Sequence, residues 1–183
     1  VLIGICGEEF GNPIGNLKTY TMTWCLFQDY LHGNTIYSNY GLNFPHHKIE
    51  SRTGLREVLQ KMDNVSVGLD EFHVYFSGYD SVSRKNGNYD IMEFGKQTRK
   101  RKVKLYGTGQ TLLDFHKSIR RLMVKVWVTK KLHYNFIECF NEYCEKPHIL
   151  EVHDLRADMT QYYKVNPKIF TLYNSDEIVD WRD

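Results

Sequence analysis

The chain opens on an unbroken apolar run, VLIGICG at residues 1–7, which closes on glycine and predicts a strand buried on both faces of a parallel sheet. After Lys18-Thr19 the apolar positions Met22, Cys25, Leu26 and Tyr30 recur at helical spacing as far as Gly33, which predicts a helix. Residues 34–44, NTIYSNYGLNF, are rich in β-branched and aromatic side chains and read as a second strand. Over residues 51–64, Leu55, Val58, Leu59 and Met62 share one helical stripe, with Arg56 and Lys61 outside it. VSVGLDEFHVYF (65–76) predicts a strand that ends on two acids. A helix over 89–102, a strand over 103–110, a short helix over 112–123 and a strand over 124–131 complete the regular part. Past residue 133 the pattern is mixed. HILEVHDL (148–155) and KIFTLYN (168–174) read as strands, joined by a polar turn at Asn166-Pro167.

Strands alternating with helices through residue 130 imply parallel β-α-β units with right-handed crossovers. The predicted class is α/β, with a mostly parallel sheet over residues 1–131. Residues 132–183 form a strand-rich C-terminal extension that adds edge strands. The whole of 1–183 is expected to be one domain, since 183 residues suffice for a single sizeable core. Val1 already lies inside an apolar run, so a few residues are expected to precede it.

Composition narrows the picture. An apolar share of 42% and a charged share of 25% are those of a globular chain, not a disordered one. A formal charge of +2 means that any affinity for nucleic acid must come from a local patch. No uncharged apolar stretch of about 18 residues predicts a membrane span, and no secretory signal pattern is present. The four cysteines (Cys6, Cys25, Cys139, Cys144) include no C-x-x-C pair, and the eight histidines no H-E-x-x-H. They are expected to be reduced, partly buried thiols, with no structural zinc. The aromatic residues read as core and edge filling, without the stacked array of a single-strand binder.

Three places carry candidate chemistry. The first is GNPIGNLKTY, residues 11–20, which stands where a phosphate-binding loop G-x-x-x-x-G-K-[ST] would stand, between a strand and a helix. Lys18 and Thr19 keep the chemistry of that motif, an ammonium for the β- and γ-phosphates of ATP and a hydroxyl for Mg2+. Its glycines fit less well. Gly7 as the first glycine leaves ten residues before Lys18, and Gly11 leaves six, where the motif has five; Gly15 falls between. Leu17 occupies the glycine position before the lysine. A leucine at positive φ costs about 1 kcal/mol or more, and its side chain is expected in or near the phosphate nest. Glu8 and Glu9 add negative charge nearby.

The second place is the strand end Asp70-Glu71. In doubly wound sheets ligands bind at the carboxyl ends of strands. There Asp70 can hold Mg2+, together with Thr19, and Glu71 can activate a water; the plainer reading is an acidic turn. At the end of the following strand, Gln110, with Thr108 as a weaker candidate, is placed to sense a γ-phosphate, or else to cap the next helix. Arg120 and Arg121 follow; they suit either a neighbouring subunit's nucleotide or a solvated helix face. The third is KQTRKRKVK, where Lys96, Arg99, Lys100, Arg101, Lys102 and Lys104 form a basic run. It suits contact with DNA phosphates or, equally, a solvated helix end. His73 reads as a packed neighbour of the acidic turn.

Taken in order, the loop with Lys18-Thr19, IYSNYGLNFPH, LDEFHVYF, QTRKRKVKLYGTGQ, DFHKSIRRL and FTLYNSDEIV resemble the P-loop ATPases of the Zot-like and FtsK/HerA-like group, especially the small forms of archaeal viruses and plasmids. The resemblance spans nearly the whole chain. It implies a three-layer P-loop NTPase core and an ATPase that couples hydrolysis to nucleic-acid translocation, in genome packaging or DNA transfer. It also implies a homo-oligomeric ring, pentameric or hexameric, acting on DNA in the cytoplasm of a host cell. The same group contains non-hydrolysing assembly factors, so a scaffold with a degenerate phosphate loop is the alternative.

Overall fold

The computed structural model describes residues 1–8, 16–61, 63–73, 101–141 and 144–174. Strand β1 (Leu2–Glu8) is followed by helix α1 (Lys18–Leu31), β2 (Thr35–Ser38), the two-residue β3 (His47–Lys48), α2 (Arg52–Lys61) and β4 (Val65–Leu69). Then come β5 (Lys104–Thr111), a single 3-10 turn (Leu112–Asp114), α3 (Lys117–Leu122), β6 (Lys125–His133), β7 (His148–Asp154), β8 (Met159–Lys164) and α4 (Pro167–Phe170). The strands form one sheet in the order β3-β2-β4-β5-β1-β6-β7-β8. From β3 to β6 neighbours run parallel, and β6-β7-β8 are antiparallel.

Three layers result, because successive side chains of a buried strand face opposite sides. Leu2 and Cys6 of β1 join the cluster of Leu55, Val58 and Leu59 from α2 and Ile119 from α3. Ile3 and Ile5 join Met22 and Leu26 of α1 on the other face. A third cluster ties the antiparallel edge to α1: Leu150 and Val152 of β7 and Ile169 of α4 meet Tyr20, with Leu17 and Trp24 packed against them. One buried polar knot crosses the layers. Asp29 of α1, only 5% exposed, accepts hydrogen bonds from Ser66 Oγ (2.7 Å), Tyr106 OH (2.9 Å) and Lys104 Nζ (2.5 Å).

The apolar runs at 1–7, 65–69 and 103–110 are strands, as their patterning predicts. Three expectations change. The strand expected over 34–44 stops at Ser38, and 112–123 is broken at Phe115-His116 into the 3-10 turn and α3. KIFTLYN is not a strand: Asn166 caps a helix by accepting from Lys168 N–H at 3.1 Å, and Pro167 takes its first position. The strand in that region is instead β8, MTQYYK, exposed throughout except for half-buried Tyr163, and without the alternation of apolar and polar residues that marks a half-buried strand. Met62 and the helix expected over 89–102 lie outside the described residues, apart from Arg101 and Lys102, which form a turn.

Candidate active site

Strands β4, β5 and β1 are adjacent and parallel, so their carboxyl ends share one edge. Leu69 lies level with Gly107, and Glu8 with Thr111. That register delivers the Asp70-Glu71 turn, Gln110 and the start of α1 to the same place.

Their side chains are joined in a chain of hydrogen bonds. Lys18 Nζ donates to Gln110 Oε1 at 2.8 Å, and Gln110 Nε2 donates to Glu71 Oε1 at 2.5 Å. Alongside, Thr19 Oγ1 donates to Asp70 Oδ1 at 3.2 Å, and Thr108 Oγ1 donates to the same oxygen at 2.5 Å. The second carboxylate oxygen of Glu71, Oε2, is buried and lies 3.3 Å from His73 Nδ1, but it makes no hydrogen bond among the described residues. Gln110 does not cap the helix that follows it. Thr111 does that, in a reciprocal capping box with Asp114.

The acidic turn is fixed from both sides. Asn39, just past β2, accepts from Asp70 N–H and donates to the Asp70 carbonyl, each at 2.8 Å. Thr108 Oγ1 accepts from Glu71 N–H at 3.0 Å. Glu71 itself has φ of 50°, a left-handed conformation that a glutamate adopts only when its surroundings impose it. Phe72, 1% exposed, anchors the turn beneath. Its ring lies so close over Gly107 that a Cβ there would meet Cδ2 at 2.3 Å, which explains glycine at that position of β5.

Electrostatics follow from burial. Lys18 is pulled down from its ordinary value by desolvation, against the opposing pull of Glu71 and Asp70. Among the described residues two carboxylates, Asp70 and Glu71, face the one ammonium of Lys18, which leaves negative charge for a cation to match. The first turn of α1 contains no acidic residue, and its N-cap residue makes no side-chain cap bond. Such a helix start is suited to an anion.

That N-cap residue is Leu17, with φ 60° and ψ 26°, the left-handed conformation ordinarily given to glycine. Its side chain is half-buried and packs against the third cluster, that of Tyr20, Leu150, Val152 and Ile169. Packing on that cluster is what a leucine offers at a position whose backbone suits glycine. Asn16, buried, donates from Nδ2 to the carbonyl of Gly7 at 2.9 Å, which draws the foot of the helix back onto β1. Gly7 lies inside β1. Gly11, Gly15 and Glu9 lie outside the described residues, as do Lys96, Arg99 and Lys100.

The remaining candidates sit elsewhere. Arg120 and Arg121 occupy the last turn of α3, where cations suit the helix dipole. The Arg120 carbonyl accepts from Arg156, which follows β7 beside the start of β6. Five residues of β1 separate that level, at Ile3, from the level of Thr111, at Glu8. At about 3.3 Å per residue the arginines are roughly 16 Å from the Lys18 centre along the sheet. Arg101 and Lys102 flank the start of β5, at the same far edge, where the Arg101 carbonyl accepts from Asn64 N–H. Lys104, counted in the basic run, turns inward to Asp29. Asn39 is the residue that sequence reasoning gave no role, although the Ser38-Asn39 dipeptide is part of the family resemblance.

No protein-family model matches the sequence, and no curated protein sequence matches it significantly. Solved structures do match on fold. The N-terminal domain of zonular occludens toxin from Neisseria meningitidis superposes with a TM-score of 0.64 at 17% identity, covering 94% of this chain and 98% of that one. The flagellar accessory protein FlaH from Methanocaldococcus jannaschii gives 0.57 at 11%, over 92% and 86% of the two chains. The genome packaging NTPase B204 from Sulfolobus turreted icosahedral virus 2, in complex with ATP-gammaS, gives 0.53 at 8%, over 90% and 96%. With its parallel core, its antiparallel C-terminal edge and these neighbours, the chain has the P-loop NTPase fold in the form shared by Zot and the viral packaging ATPases.

Proposed function

We propose that this protein is an ATPase whose turnover drives movement of nucleic acid, as in viral genome packaging or DNA transfer. One observation carries the reading: the hydrogen-bonded set Lys18-Gln110-Glu71, with Thr19, Asp70 and Thr108 beside it, at the carboxyl edge of β1, β4 and β5. The neighbour B204 is a genome packaging NTPase that takes a nucleotide analogue, which supports the same assignment here.

The donor set fits Mg2+. Thr19 Oγ1 and Asp70 Oδ1 are hard oxygens already 3.2 Å apart, and the excess of carboxylate favours a divalent cation. Bound there with the nucleotide, Mg2+ would supply charge neutralisation at the phosphate oxygens. Lys18 exchanges Gln110 for the β- and γ-phosphates, at a helix start that itself favours anions. Gln110, released, senses the γ-phosphate. Glu71 Oε2, with no hydrogen-bond partner among the described residues, accepts the proton of the attacking water. Asn39 and Thr108 hold the backbone of both acids while this happens. Arg120 and Arg121 are too far away to serve their own subunit and are assigned to a neighbour's nucleotide in a ring. The basic turn at Arg101-Lys102, on the opposite edge, is assigned to DNA phosphates, and Arg99 and Lys100, which precede it in the sequence, are assigned the same role.

The test is ATP binding and turnover by wild type and Glu71→Gln with Mg2+. Removing a general base typically costs a factor of about 100 to 10,000 in rate, while ATP affinity should be retained. Full turnover by the variant removes Glu71 from the mechanism. Absence of ATP binding by the wild type favours a non-hydrolysing scaffold.

A further inference from the structure

A second cluster lies where β6 and β7 part company. His133 ends β6, His148 begins β7, and the two are directly paired across the antiparallel ladder, with ring centroids 4.9 Å apart. The segment between them folds back on β6. His133 N–H bonds the Ile137 carbonyl at 2.8 Å, and Cys139 N–H bonds the Lys131 carbonyl at 2.7 Å. Lys131 Nζ then donates to the Asn141 carbonyl at 2.6 Å, and Cys144 N–H bonds the same carbonyl at 3.3 Å. These bonds bring Cys139 and Cys144 over the histidine pair. One ligand atom from each of the four residues lies within 4.8 Å of every other. Both cysteines are free thiols, and His148 Nε2 is buried without a hydrogen-bond partner among the described residues.

We propose that His133, Cys139, Cys144 and His148 form a structural zinc site that staples the β6–β7 connection to the edge of the sheet. Zinc takes sulfur at about 2.3 Å and nitrogen at about 2.0–2.1 Å, so tetrahedral ligand atoms stand about 3.3–3.8 Å apart. From the present spacing, closure takes side-chain movements of about 1 Å. Each thiol loses its proton to solvent on binding, and the two thiolates cancel the charge of the ion. Two sulfurs with two imidazoles are a donor set that selects zinc over magnesium or calcium. Four protein ligands leave no open position, which makes the site structural and not catalytic.

The segment also needs such a staple. Its large side chains Phe136, Ile137 and Phe140 are 60%, 62% and 60% exposed, so apolar burial contributes little to holding it in place. A metal commonly supplies order where a small element lacks a core. The spacing H-x5-C-x4-C-x3-H is passed over by a search for C-x-x-C pairs or H-E-x-x-H. It becomes a ligand set only once the β6–β7 register places His133 opposite His148.

The experiment is metal analysis of the full chain purified without chelator, followed by Co2+ titration of the stripped protein. One zinc per chain is expected, and cobalt should give the intense visible absorption of a tetrahedral thiolate site. Cys144→Ser, at a half-buried position, should weaken metal binding by at least about 100-fold, while Cys25→Ala, outside the cluster, should retain one equivalent. The proposal is overturned by wild-type protein that binds neither metal, by Cys144→Ser binding as tightly as wild type, or by a native Cys139–Cys144 disulfide. None of these readouts involves ATP.

Discussion

Replacing Leu17 by glycine and by alanine separates what its backbone costs from what its side chain contributes. Both substitutions remove the leucine's contacts with the Tyr20 and Leu150 cluster. For a half-buried leucine that loss is about 1–1.5 kcal/mol, half the value for full burial. The two variants differ in the backbone term. At φ 60° and ψ 26° alanine retains the left-handed penalty of about 1–2 kcal/mol, whereas glycine escapes it. Glycine gives back about 0.5–1 kcal/mol through the greater freedom of its unfolded chain. Leu17→Gly should therefore be the more stable variant by about 0.5–1 kcal/mol, or roughly 1–4 °C in Tm for a chain of this size. Wild type should exceed Leu17→Ala by about 1 kcal/mol or slightly more. Urea denaturation of the three proteins, with equal m-values, reads both differences. If alanine equals or exceeds glycine at this position, residue 17 is not left-handed, and the account of the loop fails.

Asp29→Ala should cost about 3 kcal/mol, the low end for breaking a buried charged network, because Lys104 is partly exposed and can turn to water; a loss in urea stability below about 1 kcal/mol would mean that the knot around Ser66 and Tyr106 contributes little. Alkaline pH should destabilise the fold. Burial, then Asp29, pushes the Cys25 thiol up to about 12 from an ordinary value near 9, so between those values the folded state holds a proton that the unfolded state has lost. Stability from this group is intact below about pH 9 and falls by up to about 1.4 kcal/mol per pH unit on the way to 12. Buried Tyr40 and Tyr106 shift in the same direction. Cys25→Ala should give a shallower alkaline slope in urea midpoints, and an unchanged slope would remove the thiol from the effect.

Strands β1, β4 and β5 were legible because each is a short apolar run bounded by turn residues, and Lys18, Asp70, Glu71 and Gln110 because each stands at the end of such a run or just past the loop that follows one. Their meeting is a property of strand order, which patterning alone does not fix. Asn39 was illegible as a positioning residue because its role is defined by the Asp70 backbone, 31 residues away. The C-terminal region misled for two physical reasons. KIFTLYN has β-forming side chains but is entered through Asn166-Pro167, which starts a helix, while MTQYYK is a largely exposed strand with no regular apolar-polar alternation to advertise it. The cysteines and histidines of the β6–β7 connection are spaced by no familiar rule, and only the hairpin register unites them.

The shape of the lysine-bearing turn is not a local property of the residues around it. A fragment ending with β6 would keep Lys18, Asp70, Glu71 and Gln110, yet it would strip Leu150, Val152 and Ile169 from the cluster on which the side chain of Leu17 packs, leaving Tyr20 alone of its buried members. The final quarter of the chain is in that sense the buttress of its first turn.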